Sequence, residues 1–356
     1  MSALFTPLKL GNVTISNRLG MSALTRNCSS NTVPNEIMKQ YYEQHALGGA
    51  GLIVTEGTLI TRQGTEWQDA PGIWNKEQIE GWKRITDSVH AAGSKIYSQL
   101  WHGRTQNFNQ PKPVYGPSAI VARGGKFHFL DGTPGYVTAA INVKEARFDG
   151  VEHGDPQFMA PTPTLSTSSS TPHPTSAPMN GEEVWKIVHA FALDALKALI
   201  EVYGPDVALK LSPAGGYNDM GMSLQETIDT FGYLLHEVNK LRLSYIALVC
   251  YSAIDPEFED EKPATPHDVV ETYSQFLPNT HIFINEGVSP DEAEEIVSTG
   301  KAAGIFIGTN WIAHPDLGKC IQAGKEFNNI QDDTTFYVIA GSNPAIGYTD
   351  YKEAVY

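Results

Sequence analysis

Eight short apolar or β-branched runs, spread along the chain with helical patterns between several of them, constrain the fold more than any other feature. They read as strands at 18–23, 51–55, 95–100, 148–152, 207–211, 245–249, 281–285 and 304–307. Helical patterns occupy 36–46, 76–92, 224–241 and 290–298, which places them before the second, third, sixth and eighth strands. Strands that alternate with helices are the ingredients of a parallel sheet, and eight of them are enough to close an α/β (β/α)8 TIM barrel. Reactive groups of such a barrel sit at the C-terminal strand ends. Function is therefore sought there.

Those ends carry chemistry. The first strand leads into Ala23, Leu24, Thr25 and Arg26, the second into Glu56 and Gly57, and the third holds Gln99 before Trp101, His102 and Arg104. Lys210 stands near the end of the fifth, Gly287 follows the seventh, and Gly308-Thr309 follows the eighth. One rim thus offers an amide, a hydroxyl, a cation and glycine turns. The last turn lets backbone N–H groups approach a ligand closely and suits a phosphate, although an ordinary turn after a buried strand has the same composition.

With 356 residues, 41% of them hydrophobic, the chain has the material for one large domain spanning 1–356. The N-terminus lacks the basic and apolar segments of a signal peptide, and no run reaches the length of a membrane span, so a soluble cytoplasmic protein is expected. Cys28, Cys250 and Cys320 are scattered without metal-ligand spacing and read as reduced thiols. A formal net charge of −15 argues against nucleic acid as a partner. It leaves an anionic small molecule open, bound through backbone donors and one local cation.

Several motifs, in order, resemble the old yellow enzyme family, flavin-dependent ene-reductases on a (β/α)8 barrel. They are Leu4-Phe5-Thr6-Pro7-Leu8, Asn17-Arg18, Ala23-Leu24-Thr25-Arg26, Ala70-Pro71-Gly72-Ile73-Trp74 and Ser98-Gln99-Leu100-Trp101-His102-Gly103-Arg104. Lys210-Leu211-Ser212-Pro213, Gly308-Thr309, His314-Pro315-Asp316-Leu317 and Gly347-Tyr348-Thr349-Asp350-Tyr351 continue the series. The resemblance covers 1 to about 135 and about 190 to 356.

It implies FMN as cofactor and NADPH or NADH as reductant. The implied partner is a small enone or enal, with a homodimer as the implied assembly. Gln99 would bind the flavin's pyrimidine edge, Lys210 would sit near N1 and the C2 carbonyl, and Thr25 would bond the C4 carbonyl. Backbone of Ala23, Leu24 and Gly57 would flank the ring, and Gly287, Gly308 and Thr309 would hold the phosphate. The implied reaction is ping-pong: hydride passes from NAD(P)H to the flavin, then to the β-carbon of an alkene activated through its carbonyl. Of the histidine, the asparagine or second histidine and the tyrosine that follow the family's fourth strand, His153 survives by type and is the implied catalytic histidine. Tyr337 matches a tyrosine of the substrate cavity, where such a group can protonate the α-carbon.

The fourth strand departs from the pattern. Phe148-Asp149-Gly150-Val151-Glu152-His153-Gly154 is one residue short before His153 and lacks the groups that follow in the family. Successive strand residues face opposite sides, so the loss turns His153 away from the cavity unless the strand end adjusts. Residues 156–178 are a Pro/Ser/Thr-rich low-complexity stretch, read as a loop within the domain. One long amphipathic helix is expected over 179–200, with a short one at 139–147. Two other readings stand beside an ene-reductase. One is a flavoprotein with impaired or altered activity, and the other a barrel lyase using Lys210 as a Schiff-base amine.

Overall fold

The chain begins with an antiparallel hairpin, β1 (Leu8–Leu10) and β2 (Val13–Ile15), turned at Gly11 and Asn12. Then come β3 (Leu19–Met21), α1 (Glu36–Leu47), β4 (Leu52–Val54), the two-residue β5 (Thr58–Leu59), α2 (Lys76–Ala91) and β6 (Lys95–Trp101). The middle of the chain supplies α3 (Tyr136–Glu145), β7 (Gly150–Gly154), α4 (Gly181–Tyr203), β8 (Val207–Leu211), α5 (Leu224–Asn239) and β9 (Tyr245–Val249). It finishes with α6 (Val269–Tyr273), β10 (Ile282–Asn285), α7 (Pro290–Ser298), β11 (Gly304–Ile307), α8 (Asn310–Ala313) and α9 (Leu317–Ala323). This is a computed structural model that describes residues 2–62, 67, 69–101, 136–154, 181–215, 221–251, 265–285, 287–337 and 343–356.

Strands β3, β4, β6, β7, β8, β9, β10 and β11 pair in parallel, each with the next, and β11 returns to β3. The expected (β/α)8 barrel is closed. Strand β5 only adds to the far end of β6. Helix starts follow from local chemistry: Asn75 with Gln78, Ser223 with Glu226 and Ser289 with Glu292 form reciprocal caps that satisfy the first free N–H groups of α2, α5 and α7. The long helix expected after β7 is there as α4, and Ala192, Leu196, Leu199 and Tyr203 bury its inner stripe. The low-complexity stretch 156–178, Glu286 and the segment 102–104 lie outside the described residues.

Apolar residues divide between two sets. Met21, Ile53, Ile96, Leu100, Val151, Leu209, Leu211, Ile246 and Ile284 pack outward against the helices. Leu52, Val54, Tyr97, Ala208, Tyr245, Ala247, Phe283 and Phe306 fill the barrel interior. Its aromatic rings lie 5.0 to 5.8 Å apart, centre to centre, with Tyr245 among Tyr97, Phe283 and Phe306. Leu10 and Ile15 of the hairpin join this interior set and stopper the N-terminal end. Asp206, just ahead of β8, accepts from the Asn12 backbone N–H at 2.6 Å and from its side-chain amide at 3.1 Å. Gly11 sits there at φ +56, and a Cβ would lie 2.5 Å from the Asp206 carboxylate, so glycine is required twice over.

Candidate active site

The site is built from inward-facing positions one step beyond the aromatic rings, toward the C-terminal strand ends. Gln99 pairs across the ladder with Glu152, and Gly154 pairs with Lys210. The Gln99 amide nitrogen donates to Glu152 Oε1 at 2.7 Å, and the Tyr245 hydroxyl donates to Glu152 Oε2 at 2.7 Å. Lys210 Nζ donates to Ser22 Oγ at 3.0 Å, and Ser22 Oγ donates to Asn285 Oδ1 at 3.0 Å. A polar layer thus crosses the barrel above an apolar one. Burial raises the Glu152 carboxyl, while the Lys210 charge, the Tyr245 hydroxyl and the Gln99 amide pull it back.

Gly154 has a specific task. A Cβ on it would lie 2.5 Å from Gln99 Nε2 and 2.6 Å from the amide carbon, so the bare backbone lets Gln99 lie across β7 toward Lys210. Gln99 and Lys210, separate in sequence, converge here.

Around this layer lie the other expected residues. Ala23, Leu24 and Thr25, all half-buried, follow β3, whose end is tied to β11 by the Ser22 N–H donating to Ile307 O at 2.9 Å. Gly57 is buried, with the Trp101 ring 2.6 Å from where its Cβ would be, so close packing already accounts for that glycine. Gly287 and Thr309 are exposed at the same rim, Gly287 at φ +69 and Thr309 directly before α8. Gly308 differs: its φ is not positive, and among the described residues a Cβ would meet only Leu24 Cδ2 at 3.8 Å. Nothing in the described surroundings demands glycine there. A group approaching from outside would.

His153 is not brought into this set. It pairs with Leu100 and Leu209, both in the layer beneath the helices, and its predecessor Glu152 takes the inward position. The missing residue has reversed the strand's phase at this point, as alternation requires. Tyr337 packs its ring 4.5 Å from that of Trp67, and burial raises its hydroxyl pKa. Its neighbour Phe336 is held by the fully buried Arg26, whose Nε donates to the Phe336 carbonyl at 2.7 Å and whose Nη2 donates to Gly347 O at 2.6 Å. Glu56 completes the attachment by accepting the backbone N–H groups of Arg26 at 3.1 Å and Asn27 at 3.2 Å. Sequence alone does not single out Glu152, Gly154, Ser22 and Asn285 as site residues. Register across the ladder identifies them, and register is not written in one strand alone.

Comparison with known proteins agrees with the barrel fold. Residues 3–155 match the model of the NADH:flavin oxidoreductase / NADH oxidase family. Chanoclavine-I aldehyde reductase fgaOx3 of Penicillium roqueforti is 32% identical, with 99% of this chain and 96% of that protein covered. The chain belongs to the old yellow enzyme family. The 12-oxophytodienoate reductase 2 of Arabidopsis thaliana is 30% identical over 98% of this chain and 95% of its own length. Among solved structures, morphinone reductase superposes with a TM-score of 0.79 at 28% identity, covering 99% of this chain and 96% of its own.

FMN is the cofactor of old yellow enzymes, and the donor set here suits it. The ring needs donors and acceptors at its pyrimidine edge and a cation beside its N1 side, which an amide and an ammonium on one inward layer can supply. Gly308 leaves open the space that a phosphate would need. Among the described residues, no group of His, Cys, Asp and Glu could hold a metal ion, and no helix is long and apolar enough to cross a membrane.

Proposed function

We propose that this old yellow enzyme family member is an FMN-dependent oxidoreductase that uses NAD(P)H to reduce the C=C bond of α,β-unsaturated carbonyl compounds in a ping-pong cycle. The observation that carries the reading is the convergence of Gln99 and Lys210 on one inward polar layer at the barrel mouth, across the bare backbone of Gly154. Relatives named as reductases of 12-oxophytodienoate, of morphinone and of chanoclavine-I aldehyde support a carbonyl-bearing substrate.

When bound, FMN supplies the relay that takes hydride from NAD(P)H and returns it to the alkene. The chain's own groups do the rest. Gln99 would orient the pyrimidine edge, and the Lys210 ammonium would supply positive charge beside it. Thr25 would supply a hydroxyl beside the ring, with the backbone of Ala23, Leu24 and Gly57 flanking it, and Gly287, Gly308 and Thr309 would receive the phosphate. Tyr337 and Trp67 form an aromatic wall at the mouth. The Tyr337 hydroxyl is protonated at neutral pH, as any tyrosine of ordinary or raised pKa is, and that proton can be given to the α-carbon. His153 has no part in these steps.

A second reading, a flavoprotein with weak or altered activity, is favoured by the displaced His153, which leaves the substrate carbonyl with fewer donors. One experiment separates the two. Purified protein, after reconstitution with FMN, is expected to show flavin absorbance, to bleach with NADPH under anaerobic conditions, and to recover colour on adding cyclohexenone. A preparation that takes up no flavin sinks both readings, and flavin reoxidised by oxygen but by no enone leaves only the second.

A further inference from the structure

The carboxylate between Gln99 and Tyr245 has no role in the steps above, yet it touches the one amide on which flavin recognition depends. We propose that Glu152 is a positioning residue that fixes which way the Gln99 amide faces, and thereby selects for a flavin that carries a free N3–H. This inference rests on the flavin reading given above.

Glu152 is 1% exposed and points into the barrel. An ionised carboxylate accepts hydrogen bonds and donates none, so both neighbours must turn donors toward it. Tyr245 does so with its hydroxyl, which burial and the adjacent carboxylate keep protonated. Gln99 does so with its NH2 group at 2.7 Å. That single bond decides the amide's orientation, because oxygen in place of nitrogen would set two acceptors against each other. The Gln99 carbonyl and its second N–H are then left for a ligand. A pyrimidine edge presents one N–H between two carbonyls, so an amide offering a carbonyl next to an N–H matches it, whereas the reversed amide sets donor against donor.

Burial raises the Glu152 pKa, and the Lys210 charge works against that rise in favour of the ionised form. Lys210 acts on Glu152 within the polar layer while its Nζ is bonded to Ser22. Gly154 keeps the Gln99 side chain in reach, since a Cβ there would collide with the amide. Orientation is thus set by residues from β6, β7, β8 and β9 together.

The test uses the full chain stripped of flavin and titrated with FMN or with 3-methyl-FMN, in which the N3 proton is replaced by a methyl group. Quenching of flavin fluorescence gives both affinities. The wild type is expected to prefer FMN by about tenfold or more, the scale of one buried hydrogen bond lost. In Glu152→Gln the Tyr245 hydroxyl still claims the one remaining carbonyl, so the new NH2 faces Gln99 and reverses it. The preference should then shrink to within about threefold, with weaker FMN binding. Adding Tyr245→Phe frees the introduced amide to turn its carbonyl back to Gln99, and the preference should return.

An unchanged preference in Glu152→Gln would show that Glu152 only fills space and would overturn the proposal, as would a double variant that stays indifferent. If the single variant does not fold, the proposal still stands or falls on two results: indifference of the double variant to the N3 methyl overturns it, and so does a wild-type preference for FMN of less than about threefold. Wild-type protein that binds neither flavin would overturn the flavin reading itself, an outcome distinct from binding both flavins equally well.

Discussion

Glu56 illustrates how a single buried side chain ties charge to placement. Its carboxylate holds the backbone just after Thr25, and burial pushes its pKa up to about 7 against the pull of the Arg26 and Asn27 amides and the Arg26 charge. The folded chain therefore holds that proton more tightly than the unfolded one. The stabilising contribution is full below the ordinary value of 4.5 and is lost as pH rises to about 7. Glu56→Gln removes this dependence while keeping an acceptor. Between pH 5 and pH 8, urea denaturation should show a smaller loss of stability for the variant than for the wild type, by up to about 3 kcal/mol. Parallel losses would mean that Glu56 does not titrate. At this scale the positions of Gln99, Lys210, Thr25 and Gly308 at or near strand ends were legible in the sequence, whatever role each plays there. Glu56 was visible beside Gly57, but its hold on Arg26 and Asn27 was not, because that contact joins residues 30 and 29 positions apart.

Among the elements, most of the eight barrel strands were readable as compact apolar runs, and Val207–Leu211, Tyr245–Val249 and Gly304–Ile307 match the expected spans residue for residue. The hairpin β1–β2 and the two-residue β5 were not, since such short pieces carry no measurable alternation. For β7 the expected span 148–152 became Gly150–Gly154, and the added His153 and Gly154 contain the phase reversal and the gap that admits Gln99. The hairpin offers a clean separation of stability from binding. Asp206→Ala leaves two Asn12 donors without their acceptor at the closed end of the barrel, which should cost about 1–3 kcal/mol in urea denaturation. FMN affinity should stay within about twofold, because the hairpin stoppers the end opposite the site. A large loss of affinity would show that the two ends are coupled.

For the molecule as a whole, a ligand that binds only the folded barrel must raise its stability by mass action. FMN at about a hundredfold excess over its dissociation constant should add about 2.7 kcal/mol and lift the melting midpoint by several degrees. A melt unmoved by FMN at any concentration would count against the assigned mouth. The overall acidity, −15 at neutral pH, does not oppose this, because Lys210 and the backbone N–H groups act at short range inside a rim that the surface charge only surrounds. The interior aromatic rings have a further consequence. Tyr97, Tyr245, Phe283 and Phe306 fill the lower half of the barrel, so that among the described residues only the opposite end lies open; under the proposed function, reductant and substrate would then use one doorway in turn.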